Sequence, residues 1–100
     1  MGINKKQFEF TKMLALLILF AYEKGYTIQM GDVFAKSGHI DGSFHYKHLA
    51  VDVNLFKDAV YLSKTSDHLL LGEFWESIRG TWGGRWGDGN HYSHGEGAHA

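Results

Sequence analysis

The spacing of apolar positions changes along the chain, and each change marks an element. From Asn4 to Lys24, Phe10, Met13, Leu14, Leu17, Ile18 and Ala21 recur at helical spacing, with Leu16, Leu19 and Phe20 widening the face. Asn4 is a candidate cap and Gly25 a stop signal. Tyr26, Ile28 and Met30 then alternate, predicting a strand over 26–34 that becomes irregular at Gly31-Asp32. After a loop over 35–42 the alternation returns, with Leu49, Val51, Val53 and Leu55 on one face and Ala50, Asp52 and Asn54 on the other. Valines on both sides of Asp52 favour a strand, because branched side chains lose rotamer freedom in a helix. Lys57-Asp58 reads as a turn and 59–62 as a partner strand. A polar stretch over 63–67 leads into a second helix over 68–78, which buries Leu70, Leu71, Phe74, Trp75 and Ile78 and ends at Gly80. A glycine-rich loop over 81–90, a short strand over 91–94 and a frayed tail over 95–100 complete the chain. This order predicts an α+β domain, a small antiparallel sheet with helices packed on one face.

Composition narrows the picture. With 100 residues and neither proline nor cysteine, one domain over 1–100 is expected, held by its core and not by disulfides. A hydrophobic fraction of 44%, with 15% aromatic, is enough to build that core. The missing cysteines exclude thiol catalysis, cysteine-ligated zinc and iron–sulfur clusters. Ten basic and eleven acidic residues give a formal charge of −1, so no nucleic-acid partner is expected. The apolar run Met13–Tyr22 is too short to span a membrane. Lys5 and Lys6 ahead of it imitate a secretion signal, but Tyr22-Glu23-Lys24 offers no small-x-small cleavage site, so a core helix is expected.

The chemistry gathers in two places. An ionised Asp52 on a half-buried strand needs a charge partner or a metal. His45 lies seven residues before it, and His91 follows Asp88 by three in the turn Trp82-Gly83-Gly84-Arg85-Trp86-Gly87-Asp88-Gly89-Asn90-His91-Tyr92. Imidazole nitrogen and carboxylate oxygen suit zinc, and a catalytic zinc keeps one position for water. His45, Asp52 and His91 therefore form a candidate metal set, with Asp88 as candidate general base. Ser43 is a candidate contact to a ligand or substrate, and Trp86 a candidate cleft wall. His39 is a weaker ligand candidate, His48 is expected to face water, and His68, His94 and His99 read as surface residues.

These motifs carry a resemblance. Ser43-Phe44-His45 followed by Asp52 resembles the Ser-x-His-(six residues)-Asp signature of zinc peptidases that cleave peptidoglycan stem peptides. That family comprises the VanY-like D-alanyl-D-alanine carboxypeptidases and the L-alanyl-D-glutamate endopeptidases of phage endolysins. Trp82-Gly83-Gly84 with Asp88-Gly89-Asn90-His91-Tyr92 is similar to the closing acid-x-x-His element of its small phage-type branch. The resemblance spans residues 26–93. It implies zinc on the sheet's open face, held by His45, Asp52 and His91, with Asp88 as base. It also implies a monomeric, endolysin-type L-alanyl-D-glutamate endopeptidase, present in the bacterial host cytoplasm before lysis and acting at the wall. A D-alanyl-D-alanine carboxypeptidase, a non-catalytic zinc-dependent wall-binding module and a metal-dependent nuclease stand as alternatives. One departure lies upstream of the first motif. The family places an arginine there, whereas Gly31-Asp32-Val33-Phe34-Ala35-Lys36 has alanine; Lys36 is the candidate partial substitute as a substrate contact, without the arginine's bidentate fork.

Overall fold

The first helix, α1, runs Ile3–Glu23 and buries Phe10, Leu17 and Ala21. Its end follows from Gly25, whose φ of 90° only glycine adopts without strain. There Gly25 N–H donates to the Tyr22 carbonyl (3.1 Å) and Tyr26 N–H to the Ala21 carbonyl (3.0 Å), the paired bonds that close a helix through a left-handed residue. The structure, a computed structural model, describes residues 3–31 and 49–95.

Among the described residues five strands follow: β1 Thr27–Met30, β2 Ala50–Lys57, β3 Val60–Leu62, β4 Thr81–Trp82 and β5 His91–Ser93. A 3-10 turn over Thr65–His68 leads into α2, Leu69–Ser77, and a second 3-10 turn over Gly83–Trp86 separates β4 from β5. All pairings are antiparallel, in the order β1-β2-β5-β4, with β3 also on β2. The architecture is thus α+β with a small antiparallel sheet. β2 is its hub, and its alternation is as the sequence predicts: Val51, Val53 and Leu55 are buried, while Asp52 and Asn54 are half-buried.

The core lies between the helices and one face of the sheet. Tyr92 sits opposite Val51 and Trp82 opposite Tyr92, so all three share the core face. Trp75 of α2 meets the Tyr92 ring edge-on at 5.8 Å and the Phe10 ring of α1 at 5.9 Å, tying both helices to the sheet. Its indole N–H donates to the Ser93 carbonyl (2.8 Å), so the largest buried side chain leaves no donor unmet.

Several expectations shift. The hairpin turn falls on Asp58-Ala59, one residue later than predicted, with φ of 51° and 64°. Two successive left-handed residues match the right-handed twist of the flanking strands, which overrides the poor fit of alanine to that region. The second helix starts as a 3-10 turn and ends before Arg79, which takes the left-handed conformation (φ 74°) expected at Gly80. Gly80 serves packing instead: a Cβ there would stand 2.1 Å from the Trp75 indole nitrogen. Leu70 is exposed, because α2 buries Leu71, Gly72 and Trp75, and the Trp82 indole lies against Gly72. The predicted loop over 81–90 contains both β4 and a 3-10 turn.

Candidate functional site

Antiparallel register brings the two sequence motifs together. Asp52 of β2 pairs with His91 of β5, so both side chains leave the same face of the sheet, the one turned away from the helices. His91 Nδ1 stands 3.7 Å from Asp52 Oδ1. That is too long for a hydrogen bond. It is close to the roughly 3.4 Å that separates two ligands each about 2.1 Å from one tetrahedral zinc. The His91 side chain is 3% exposed and that of Asp52 26%, so the carboxylate keeps access to solvent while the imidazole does not. Ala50 and Ser93 on this face are buried as well. The expected zinc site on an open face of the sheet is not seen among the described residues.

The loop that delivers His91 is held from several sides. Asp88 N–H donates to the Gly83 carbonyl (2.9 Å), and His91 N–H to the Asp88 carbonyl (3.2 Å). The Trp82 indole N–H donates to the Gly89 carbonyl (2.7 Å). Thr65 grips both neighbours of Asp88: its hydroxyl donates to the Gly87 carbonyl (3.1 Å) and accepts from Gly89 N–H (3.2 Å). Gly83 is required for this closure, since a Cβ there would lie 2.3 Å from the Asp88 carbonyl and 2.7 Å from His91 Cβ. Asp88 itself is exposed. The Trp86 ring lies 5.9 Å from the His91 ring, inclined at 56°.

Arg85, which the sequence groups with Trp86, turns the other way. Its guanidinium forms a two-point fork on Glu76 of α2 (2.8 and 2.6 Å) and lies over the Trp82 ring. The fork, led by its hydrogen bonds, pulls the Glu76 carboxyl below its ordinary range and pushes the Arg85 guanidinium up.

Two histidines read as surface residues are buried, His68 at 3% exposure and His94 at 6%. His68 Nδ1 is 2.8 Å from the Tyr92 hydroxyl. Burial holds the His68 imidazole below its ordinary range, with neighbouring Asp67 pulling weakly the other way. Burial also drives the Tyr92 phenol far upward, so it keeps its proton. His68 lines a polar cavity of about 160 Å³ together with Lys64, Thr65, Asp88 and Asn90, which makes it the site neighbour that sequence reasoning missed. Its partners lie 24 residues away, beyond any local pattern.

Ser43, His45 and Lys36, with His39 and His48, lie outside the described residues, as does His99. Among the described residues no three His, Cys, Asp or Glu side chains gather into a metal-holding group, and no helix is long and apolar enough to cross a membrane. Asp52 and His91, two of the three residues expected as ligands, have donor types and a separation that fit zinc. Compared with known proteins, the chain matches no family model, no curated protein and no solved structure.

Proposed function

We propose that the chain is a zinc metallopeptidase of peptidoglycan stem peptides, acting as an L-alanyl-D-glutamate endopeptidase of the endolysin type. The observation that carries this reading is the pairing of Asp52 with His91 at 3.7 Å across two antiparallel strands. Residues that the motifs single out, 39 positions apart, converge with the donor types and spacing of two ligands on one ion. Zn2+ held by His45, Asp52 and His91 would supply a Lewis acid and a lowered water pKa. The chain's own groups do the rest. Asp88 collects the proton of the attacking water and returns it to the departing amine, from a loop fixed on both sides by Thr65. Trp86 forms a wall beside His91 against which a peptide can lie. Ser43 and Lys36 contact the substrate from the segment before β2. A D-amino-acid substrate follows from the motif resemblance, with a D-alanyl-D-alanine carboxypeptidase as the sister reading.

The test is release of free amino groups from purified peptidoglycan, with and without chelator, followed by identification of the new amino terminus. A new terminal D-glutamate that disappears with chelator and returns with zinc supports the endopeptidase. Released free D-alanine instead assigns the carboxypeptidase. Zinc binding without any release leaves a wall-binding module, the outcome to which Ala35 in place of the family's arginine points.

A further inference from the structure

A cleft of about 530 Å³ opens between α1 and the chain just after α2 and β5, on the helix side of the sheet. Its volume falls within the roughly 300–1,000 Å³ of small-molecule sites. One wall is aliphatic, formed by Met13 and Leu16 of α1 and by Ile78. The rim carries two cations, Lys12 and Arg79, both on exposed residues and neither in an ion pair among the described residues. The remaining charged groups are engaged with each other: His94 Nε2 is 3.1 Å from Glu9 Oε1, a contact that joins residues 85 apart and fixes the floor of the cleft. Among the described lining residues, two cations stand against one carboxylate, which leaves the cleft positive. Arg79 has a left-handed backbone (φ 74°), and a Cβ on Gly95 would stand 1.8 Å from the Arg79 carbonyl oxygen, so the two segments meet closely at the rim.

We propose that this cleft binds an anionic amphiphile, an unbranched alkyl chain ending in a carboxylate or phosphate, with the chain along Met13, Leu16 and Ile78 and the head between Lys12 and Arg79. The lining, aliphatic and without aromatic side chains among the described residues, selects a flexible alkyl body over a planar one. The two cations select the anionic head, and the Glu9–His94 contact keeps the carboxylate of Glu9 occupied. The cleft lies across the sheet from Asp52 and His91, so occupancy does not depend on the proposed metal chemistry.

Calorimetric titration of octanoate into the full chain tests this, with chelator present so that no metal holds the carboxylate. Saturable binding of one octanoate per chain is expected, with acetate and octyl glucoside much weaker because each lacks one half of the recognition. The double variant Lys12→Gln/Arg79→Gln, at two exposed positions, should bind roughly tenfold more weakly or worse. Leu16→Asp should weaken octanoate comparably through the apolar wall. Circular dichroism of each variant confirms that it is folded. Absence of saturable octanoate binding, or equal affinity in the folded double variant, overturns the proposal. Co-sedimentation with phosphatidylglycerol vesicles in the absence of octanoate binding also overturns it, since the contact would then belong to the exposed outer side chains of α1, Phe8 and Leu19, and not to the cleft.

Discussion

Thr65→Val isolates the clamp on the Asp88 loop. The substitution keeps shape and branching but removes both bonds of the hydroxyl, to the Gly87 carbonyl and from Gly89 N–H. The two losses are unequal. Gly87 is exposed, so its carbonyl regains water and loses little. Gly89 is buried, and a Cβ on it would stand 2.6 Å from Thr65 Cα, leaving no room for water to reach its N–H from that side. A stranded buried donor costs about 1–3 kcal/mol, and an ordinary exchange about 0.5–1.5 kcal/mol. The net effect should be about 2 kcal/mol, which for a chain of 100 residues lowers Tm by roughly 8–15 °C. Thermal melts followed by circular dichroism measure it. Thr65→Ser restores the oxygen and should recover most of the loss. A Thr65→Val melt within about 1–2 °C of wild type, or a serine variant as unstable as the valine one, would refute the clamp.

Other outcomes follow from the same geometry. Gly83→Ala should destabilise by about 2–4 kcal/mol, because the new methyl meets the Asp88 carbonyl and His91 Cβ; chemical denaturation measures this, and a loss under about 0.5 kcal/mol would show that the loop yields easily. Because His68 has a lowered folded pKa, the unfolded chain binds more protons as pH falls below the ordinary histidine value near 6.5. Its contribution to stability is thus complete above that pH and fades as pH drops through the folded pKa. Comparing wild type with His68→Asn in chelator from neutral pH to pH 5 should show a flatter stability profile in the variant, whereas parallel profiles would remove His68 as the source. Asp88→Asn should abolish peptidoglycan cleavage in the proposed enzyme while zinc affinity stays within about threefold; a variant that cleaves normally would take the base role from Asp88.

Much of this frame is legible in the residues themselves. Period alone locates α1, β2 and the core of α2, because each has enough residues to display its repeat. The alternation around Asp52 even assigns its face correctly. What stays hidden depends on contacts that no local window contains. β4 is two residues long and cannot show a period. His68 and His94 are buried with partners far along the chain, Tyr92 at 24 residues and Glu9 at 85. Leu70 fits an apolar helix face on paper, but the Trp82 indole packs against Gly72 and turns that face away. The convergence of Asp52 with His91 was readable only as chemistry in need of a partner; the register that supplies it belongs to the folded sheet.

The central claim is that these two side chains share one ion with His45. Titration of zinc into the chelator-stripped full chain tests it most directly. One zinc per chain is predicted, with His45→Ala, Asp52→Ala and His91→Ala each weakening it by roughly 100-fold or more, at or beyond the upper end of what loss of a merely supporting contact does. Absence of saturable zinc binding, or zinc affinity untouched by substitution at positions 52 and 91, would contradict the account.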